Sequence, residues 1–145
     1  MITKEHKINK YCCLYVSDFH LEMILLPYLK NKIDNSKTLI YTQKDLMESI
    51  RILLDKTNLK FEDKKKILNL KYWNNNINEI CNENVKEYTI IVNGDREYIT
   101  NVNNEIRKLK ADVVNIVDCY DINKIDIKSQ DINDNYKGVL NTESI

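Results

Sequence analysis

Glycine and proline are nearly missing from this chain: its 145 residues hold two of the first and one of the second. Phosphate-cradling loops need several glycines, because their backbone N–H groups must approach the ligand with no Cβ in the way. Neither G-x-x-x-x-G-K-[ST] nor G-x-G-x-x-G occurs anywhere. That absence excludes the ordinary P-loop nucleotidase and the dinucleotide-binding Rossmann enzyme. A net charge is missing too. Lys and Arg number 22, and so do Asp and Glu, so no overall field draws the chain to nucleic acid or to an anionic membrane. The one basic run, Lys64-Lys65-Lys66, reads as a solvated loop. No apolar run approaches the roughly 20 residues that span a bilayer. The first residues, Met-Ile-Thr-Lys-Glu-His-Lys, lack the apolar core of a signal peptide. The expected location is therefore the cytoplasm. Four cysteines (Cys12, Cys13, Cys81 and Cys119) show no C-x-x-C spacing. They read as reduced, buried thiols rather than as a zinc or redox centre.

What the chain does have is an alternation of two periods. Tyr11–Val16 is apolar at nearly every position, as a strand covered on both faces must be. Leu21, Ile24, Leu25, Tyr28 and Leu29 then recur at helical spacing, with Ser17 or Asp18 as cap and Pro27 expected to kink or shorten the helix. Thr38–Thr42 is the second strand. Asp45 and Glu48 have the spacing of a capping box before a helix that turns Leu46, Met47, Ile50, Leu53 and Leu54 inward. Leu59–Lys66 reads as a loop or short turn, and the alternating Ile67–Trp73 as the third strand. Ile77, Ile80, Cys81 and Val85 predict a short helix. Thr89–Val92 is the fourth strand, Asn93-Gly94-Asp95 a turn, and Ile99, Val102, Ile106 and Leu109 one face of a helix. Val113–Val117 is the fifth strand. Beyond Asp121 the chain is polar, with a last short strand expected within Tyr136–Leu140.

Strand–helix–strand steps of this kind predict one α/β domain over residues 1–145: an open, mostly parallel sheet of about five strands in three layers, with helices on both faces. Its core spans about 10–121, and 122–145 forms a peripheral segment. Residues 1–10, with His6, read as a loosely ordered lead-in.

In such a sheet, ligands bind beyond the carboxyl ends of the strands. That rim is expected to carry Ser17, Asp18 and His20, then Thr42, Gln43 and Lys44. Next come Tyr72 and Trp73, then Asn93, Asp95 and Arg96, and last Asp118, Tyr120 and Asp121. Polar groups with aromatic walls suit a small ligand. Each has an ordinary alternative: Ser17, Asp18, Asp45 and Asp95 as helix caps, Trp73 as core. A nucleophile at Cys119 is the weaker reading, because Asp118 and Asp121 beside it would raise the thiol pKa. A metal held by His20, Asp118 and Asp121 has no ligand spacing behind it.

The run Tyr11-Cys-Cys-Leu-Tyr-Val-Ser-Asp18, the helix Glu22–Lys30 with its Pro27-Tyr28 pair, and the second strand ending at Tyr41 resemble the MEDS family, the sensory domains of methanogens and methylotrophs that include the dichloromethane regulator. Asp118-Cys-Tyr-Asp121 resembles that family's Cys-x-Tyr-Asp segment, with Asp118 in place of the family cysteine. Tyr11 stands where the family tends to have His, and Asn35-Ser36-Lys37 where it has Gly-Glu. The resemblance implies a RecA-like fold without Walker A and a sensing role, often beside a DNA-binding or kinase module. The resulting expectation is a non-catalytic regulatory domain that uses no cofactor and no metal. It would bind a small molecule or a signalling partner, such as a kinase or transcription regulator, and act in trans, with a homodimer as one arrangement and no direct nucleic-acid or membrane contact. The competing reading is an interaction adaptor or inhibitor with a vestigial pocket. A small enzyme using Cys119 or the Asp118/Asp121 pair ranks behind both.

Overall fold

A computed structural model describes residues 7–70, 85–109, 111–125, 127 and 129–140. Five strands form one sheet: β1 (Lys7–Tyr15), β2 (Lys37–Thr42), β3 (Glu87–Asn93), β4 (Val113–Asp121) and β5 (Gly138–Leu140). They lie in the order β2-β3-β4-β1-β5, and every pair is parallel. This is the expected α/β open sheet. The helices are α1 (Asp18–Lys32), α2 (Met47–Asp55), α3 (Phe61–Leu68), α4 (Arg96–Ile106) and α5 (Ser129–Asn135). Parallel strands are covered on both faces, which is why β2, β3 and β4 are apolar almost without interruption.

Alternation along each strand sorts the core into two clusters. One face turns Cys13, Tyr15, Ile40, Ile91, Val117 and Cys119 toward α1, α2 and α3. The other turns Cys12, Leu39, Tyr41, Ile90, Val92, Ile116 and Tyr120 toward α4 and the C-terminal segment, where Ile125, Ile127, Ile132 and Tyr136 pack. We refer to these as the α1 face and the α4 face. Among the described residues, no helix is long and apolar enough to cross a membrane.

Several expectations are corrected. The third strand expected at Ile67–Trp73 does not begin there: Ile67 and Leu68 close α3, and 71–73 lie outside the described residues. The charged stretch before it is not a loop. Glu62 and Asp63 sit in the first turn of α3 and Lys65 and Lys66 in the last, the arrangement that complements the helix dipole. Ile67 is the one fully buried anchor of that helix. The alternation Leu68-Asn69-Leu70-Lys71 imitates a strand only over a short window.

Asp45 does not build a capping box. Leu46 is the N-cap of α2 without a side-chain bond, and Asp45 Oδ1 instead accepts from Met47 N at 2.9 Å, a local turn bond. Pro27 does not interrupt α1, which runs through to Lys32. The helix partner it removes is the carbonyl of Met23, a residue 43% exposed. The first strand starts at Lys7, inside the expected lead-in, because Lys7 pairs with Val113. The fifth strand runs on to Asp121. The short helix expected from Ile77 lies outside the described residues, and Val85 at its end is not helical.

Candidate functional site

A cleft of about 400 Å³ opens beyond the carboxyl ends of β1, β2, β3 and β4. Connections leave the sheet toward opposite faces beside it: β2 leads to α2 on one face, while its neighbour β3 leads to α4 on the other. Adjacent loops therefore part and leave a crevice. Tyr15, Asp18, Gln43, Lys44, Asn93, Gly94, Asp95, Asp121, Lys124 and Ile125 line it.

Its floor is a chain of buried hydrogen bonds. Tyr15 Oη donates to Asn93 Oδ1 at 2.7 Å. Asn93 Nδ2 donates to Thr42 Oγ1 at 3.1 Å. Thr42 Oγ1 donates in turn to the Lys44 carbonyl at 2.6 Å. These residues end three different strands, and each group finds a partner, so the floor is set before any ligand arrives. Burial first, and with it the nearby Asp121 and Asp18 carboxylates, pushes the Tyr15 phenol far above its ordinary range. It stays protonated, a fixed donor. Both carboxylates therefore act on the same hydroxyl.

The walls are clamped. Gln43 Oε1 accepts from Asp95 N at 2.9 Å, and Gln43 Nε2 donates to Asp95 Oδ2 at 3.3 Å. Asp95 Oδ1 caps α4 by accepting from Tyr98 N. Lys44 Nζ pairs with Asp18 Oδ2 at 2.7 Å. Gly94 is needed here for space. A Cβ on it would lie 2.6 Å from Tyr98 Cδ2 and 2.9 Å from Gln43 Oε1. Gly94→Ala is expected to cost about 2 kcal/mol, because the Tyr98 ring is met near its root and Gln43 Oε1 is held by the Asp95 amide, so neither moves cheaply. The melting temperature should fall by roughly 4–8 °C. An unchanged melting temperature would contradict this packing.

The expected rim residues separate into three groups. Asp18, Gln43, Asp95 and Asp121 converge on the cleft. Ser17 and His20 stand next to it but serve α1: Ser17 Oγ accepts from His20 N at 3.1 Å, and His20 Nδ1 accepts from Val16 N at 3.0 Å. Asp118 and Tyr120 are not at the rim. They point to the α4 face, where Asp118 is fully buried. It accepts from Asn103 Nδ2 at 2.9 Å and from Tyr136 Oη at 2.8 Å, with Lys10 Nζ at 3.5 Å. Tyr120 and Tyr136 share a 2.6 Å hydroxyl contact. Arg96 is exposed in the first turn of α4 on this same side, near enough to lower the Tyr120 pKa slightly against the upward push of burial. Tyr72 and Trp73 lie outside the described residues.

Cys119 lies on the α1 face, fully buried opposite Cys13 in register. Burial, then the neighbouring Cys13 thiol, holds it protonated. Asp118 and Asp121 point to opposite faces of β4, so they form no carboxylate pair. Among the described residues, no three His, Cys, Asp or Glu side chains could together hold a metal ion.

Sequence reasoning missed Tyr15, Gly94 as a wall, Lys124 and Ile125. Tyr15 ends an apolar run and looks like core. Lys124 follows a polar turn whose direction depends on where β4 stops. Comparisons with protein-family models, curated proteins and solved structures find no match.

Proposed function

We propose that this chain is a non-catalytic regulatory domain that binds a small molecule in the cleft at the carboxyl edge of its sheet. The observation that carries this reading is the floor running from Tyr15 through Asn93 to Thr42, a buried polar network already complete beneath an open cleft of about 400 Å³. Small-ligand sites have this size and combine an apolar frame with a few fixed polar groups. The thiol that the chain offers as nucleophile is sealed in the core. The cleft touches the first turn of α1 through Asp18, the loop leading to α2 through Lys44, and the cap of α4 through Asp95. A ligand that prefers one arrangement of these elements would shift their population and change what the surface presents to a partner in trans. The sensory role implied by the MEDS resemblance belongs to this proposal.

A thermal-shift screen against metabolites and nucleotides tests it. A true ligand raises the melting temperature progressively with its concentration, and Asp121→Ala abolishes the rise. Silence across the screen would count against the sensor.

One observation favours a second reading, an interaction module. An apolar groove of about 550 Å³ runs between α1 and α2, lined by Met23, Leu26, Pro27, Leu53 and Leu59, with Phe19 exposed on α1, Ile52 on α2 and Phe61 at the start of α3. Grooves of this kind receive partner helices or loops. In this reading Met23→Asp removes partner binding and leaves small-molecule binding intact.

A further inference from the structure

The cleft's charges divide into those already spent and those still available. Lys44 and Asp18 neutralise each other at 2.7 Å. Asp95 uses one oxygen on the Tyr98 amide and the other on Gln43. The turn after β4 is different. Asp121 Oδ1 accepts from Asn123 N at 2.9 Å, while Oδ2 has no donor among the described residues. Lys124 also lines the cleft and has no ion-pair partner among the described residues. One carboxylate and one ammonium, three positions apart on a single turn, therefore face the cleft uncommitted. That turn is held in place: Lys124 N and Ile125 N both donate to the Asp121 carbonyl, and Asn123 Nδ2 donates to the Val16 carbonyl at 3.0 Å.

The helix ends argue against an anionic ligand. The N-termini of α1 and α4 start at this rim, and a bare helix start attracts phosphate. Both starts carry their own acids: Asp18 in the first turn of α1, Asp95 as the cap of α4 and Glu97 in its first turn. A phosphate would meet these carboxylates before it met free N–H groups. With no glycine-rich loop to lift the backbone toward it, a nucleotide has no seat here.

Resting on the ligand-binding reading above, we infer that the cleft takes a small zwitterion of the α-amino-acid class, its ammonium on Asp121, its carboxylate on Lys124, and its body over the Tyr15–Asn93 floor. Two opposed charges on the ligand answer the two left open on the wall, and the ligand's zero net charge matches the balance of the free groups. The Tyr15 hydroxyl, fixed by Asn93, lies below as the polar floor. A cavity of this size is larger than the smallest amino acids and leaves room for a side chain against Ile125.

The test is calorimetric titration of the full chain with each of the twenty α-amino acids, with ATP and inorganic phosphate as anionic controls. Saturable binding of at least one amino acid is expected. Blocking either end of it, as the N-acetyl or the amide derivative, should weaken binding at least tenfold. Asp121→Asn keeps the acceptor for Asn123 N but removes the charge, and should also weaken binding tenfold or more. Lys124→Met changes an exposed side chain and should do the same without altering the melting temperature. If ATP or phosphate binds instead, and binding ignores Asp121→Asn, the zwitterion class is wrong while the cleft remains a ligand site. If no amino acid binds but the metabolite screen finds another ligand lost on Asp121→Ala, again only the class falls. If both titration and screen are silent, the class and the ligand-binding reading fall together.

Discussion

Replacing Lys10 by methionine is expected to destabilise the fold by about 3 kcal/mol at neutral pH. The reason lies with its neighbour. Asp118 is fully buried on the α4 face of β4, and the Lys10 ammonium at 3.5 Å is its nearest described cation. Asn103 and Tyr136 supply two hydrogen bonds but no charge. Removing one partner of a buried pair leaves the other charge uncompensated in a poor solvent, which costs far more than the pair itself contributes. The opposite substitution should be milder. In Asp118→Asn, Lys10 is left without its anion, but it is 32% exposed and can reach water. Asn103 Nδ2 keeps the Ile99 carbonyl, and Tyr136 keeps Tyr120. A cost of about 1 kcal/mol is expected. The double variant should cost little more than Asp118→Asn alone, giving a coupling of about 3 kcal/mol. Urea denaturation of the four proteins measures all of this. A Lys10→Met cost below about 1 kcal/mol, or strictly additive effects, would mean that the pair is solvated and carries little.

Glu22→Gln is expected to stabilise the protein by about 2 kcal/mol above pH 7. Glu22 sits on α1, fully buried. Its Oε2 accepts from Ser49 Oγ on α2, and its Oε1 has no hydrogen-bond partner. Burial raises its pKa from 4.5 to about 6, against the lowering by Ser49, and Asp18 one turn earlier adds to the rise. The folded state thus holds this proton more tightly than the unfolded chain. Between pH 4.5 and 6 the native protein binds more protons, so stability from this group is present in full below pH 4.5 and is lost as pH rises through 6. At about 1.4 kcal/mol per pKa unit, the loss is roughly 2 kcal/mol. Glutamine keeps an acceptor for Ser49 and carries no charge to desolvate. Melting curves at pH 4.5 and 7.5 should therefore show the variant's advantage only at the higher pH. An equal or less stable variant at pH 7.5 would mean that the Glu22 carboxylate is compensated after all.

Glu22 and Asp118 are both buried acids, and both illustrate what a linear reading can miss. Glu22 occupies a polar position in the helical pattern of α1, where Leu21, Ile24, Leu25 and Leu29 already supply an inward stripe. Only the packing of α2, which brings Ser49 over it, makes it core. The apolar run ends at Val117, and by that pattern alone Asp118 belongs to the rim. The strand in fact continues to Asp121, held by pairing with Cys12–Tyr15, and strand parity then sends Asp118 and Tyr120 one way and Cys119 and Asp121 the other. A strand kept in register by its neighbour does not stop where its own hydrophobicity stops.

Local period and local chemistry settle one part of this protein. The centres of β1 to β4, the helices α1, α2 and α4, and a cap at Ser17 or Asp18 and at Asp95 follow from spacing that each segment carries alone. So does the exclusion of a phosphate loop, which rests on counting glycines. The tertiary structure alone decided what depends on distant pairing. The order β2-β3-β4-β1-β5 brings the ends of β1, β2 and β3 to one place, so that Tyr15 meets Asn93 from 78 positions away and Asn93 meets Thr42 from 51. Asp18, Gln43, Lys44, Asn93, Asp95 and Asp121 came together in the cleft, whereas Asp118 and Tyr120 went to a buried cluster on the α4 face. Residue spacing along a chain specifies which side of its own element a group occupies, but only the neighbouring elements specify whether that side is solvent, cleft or core.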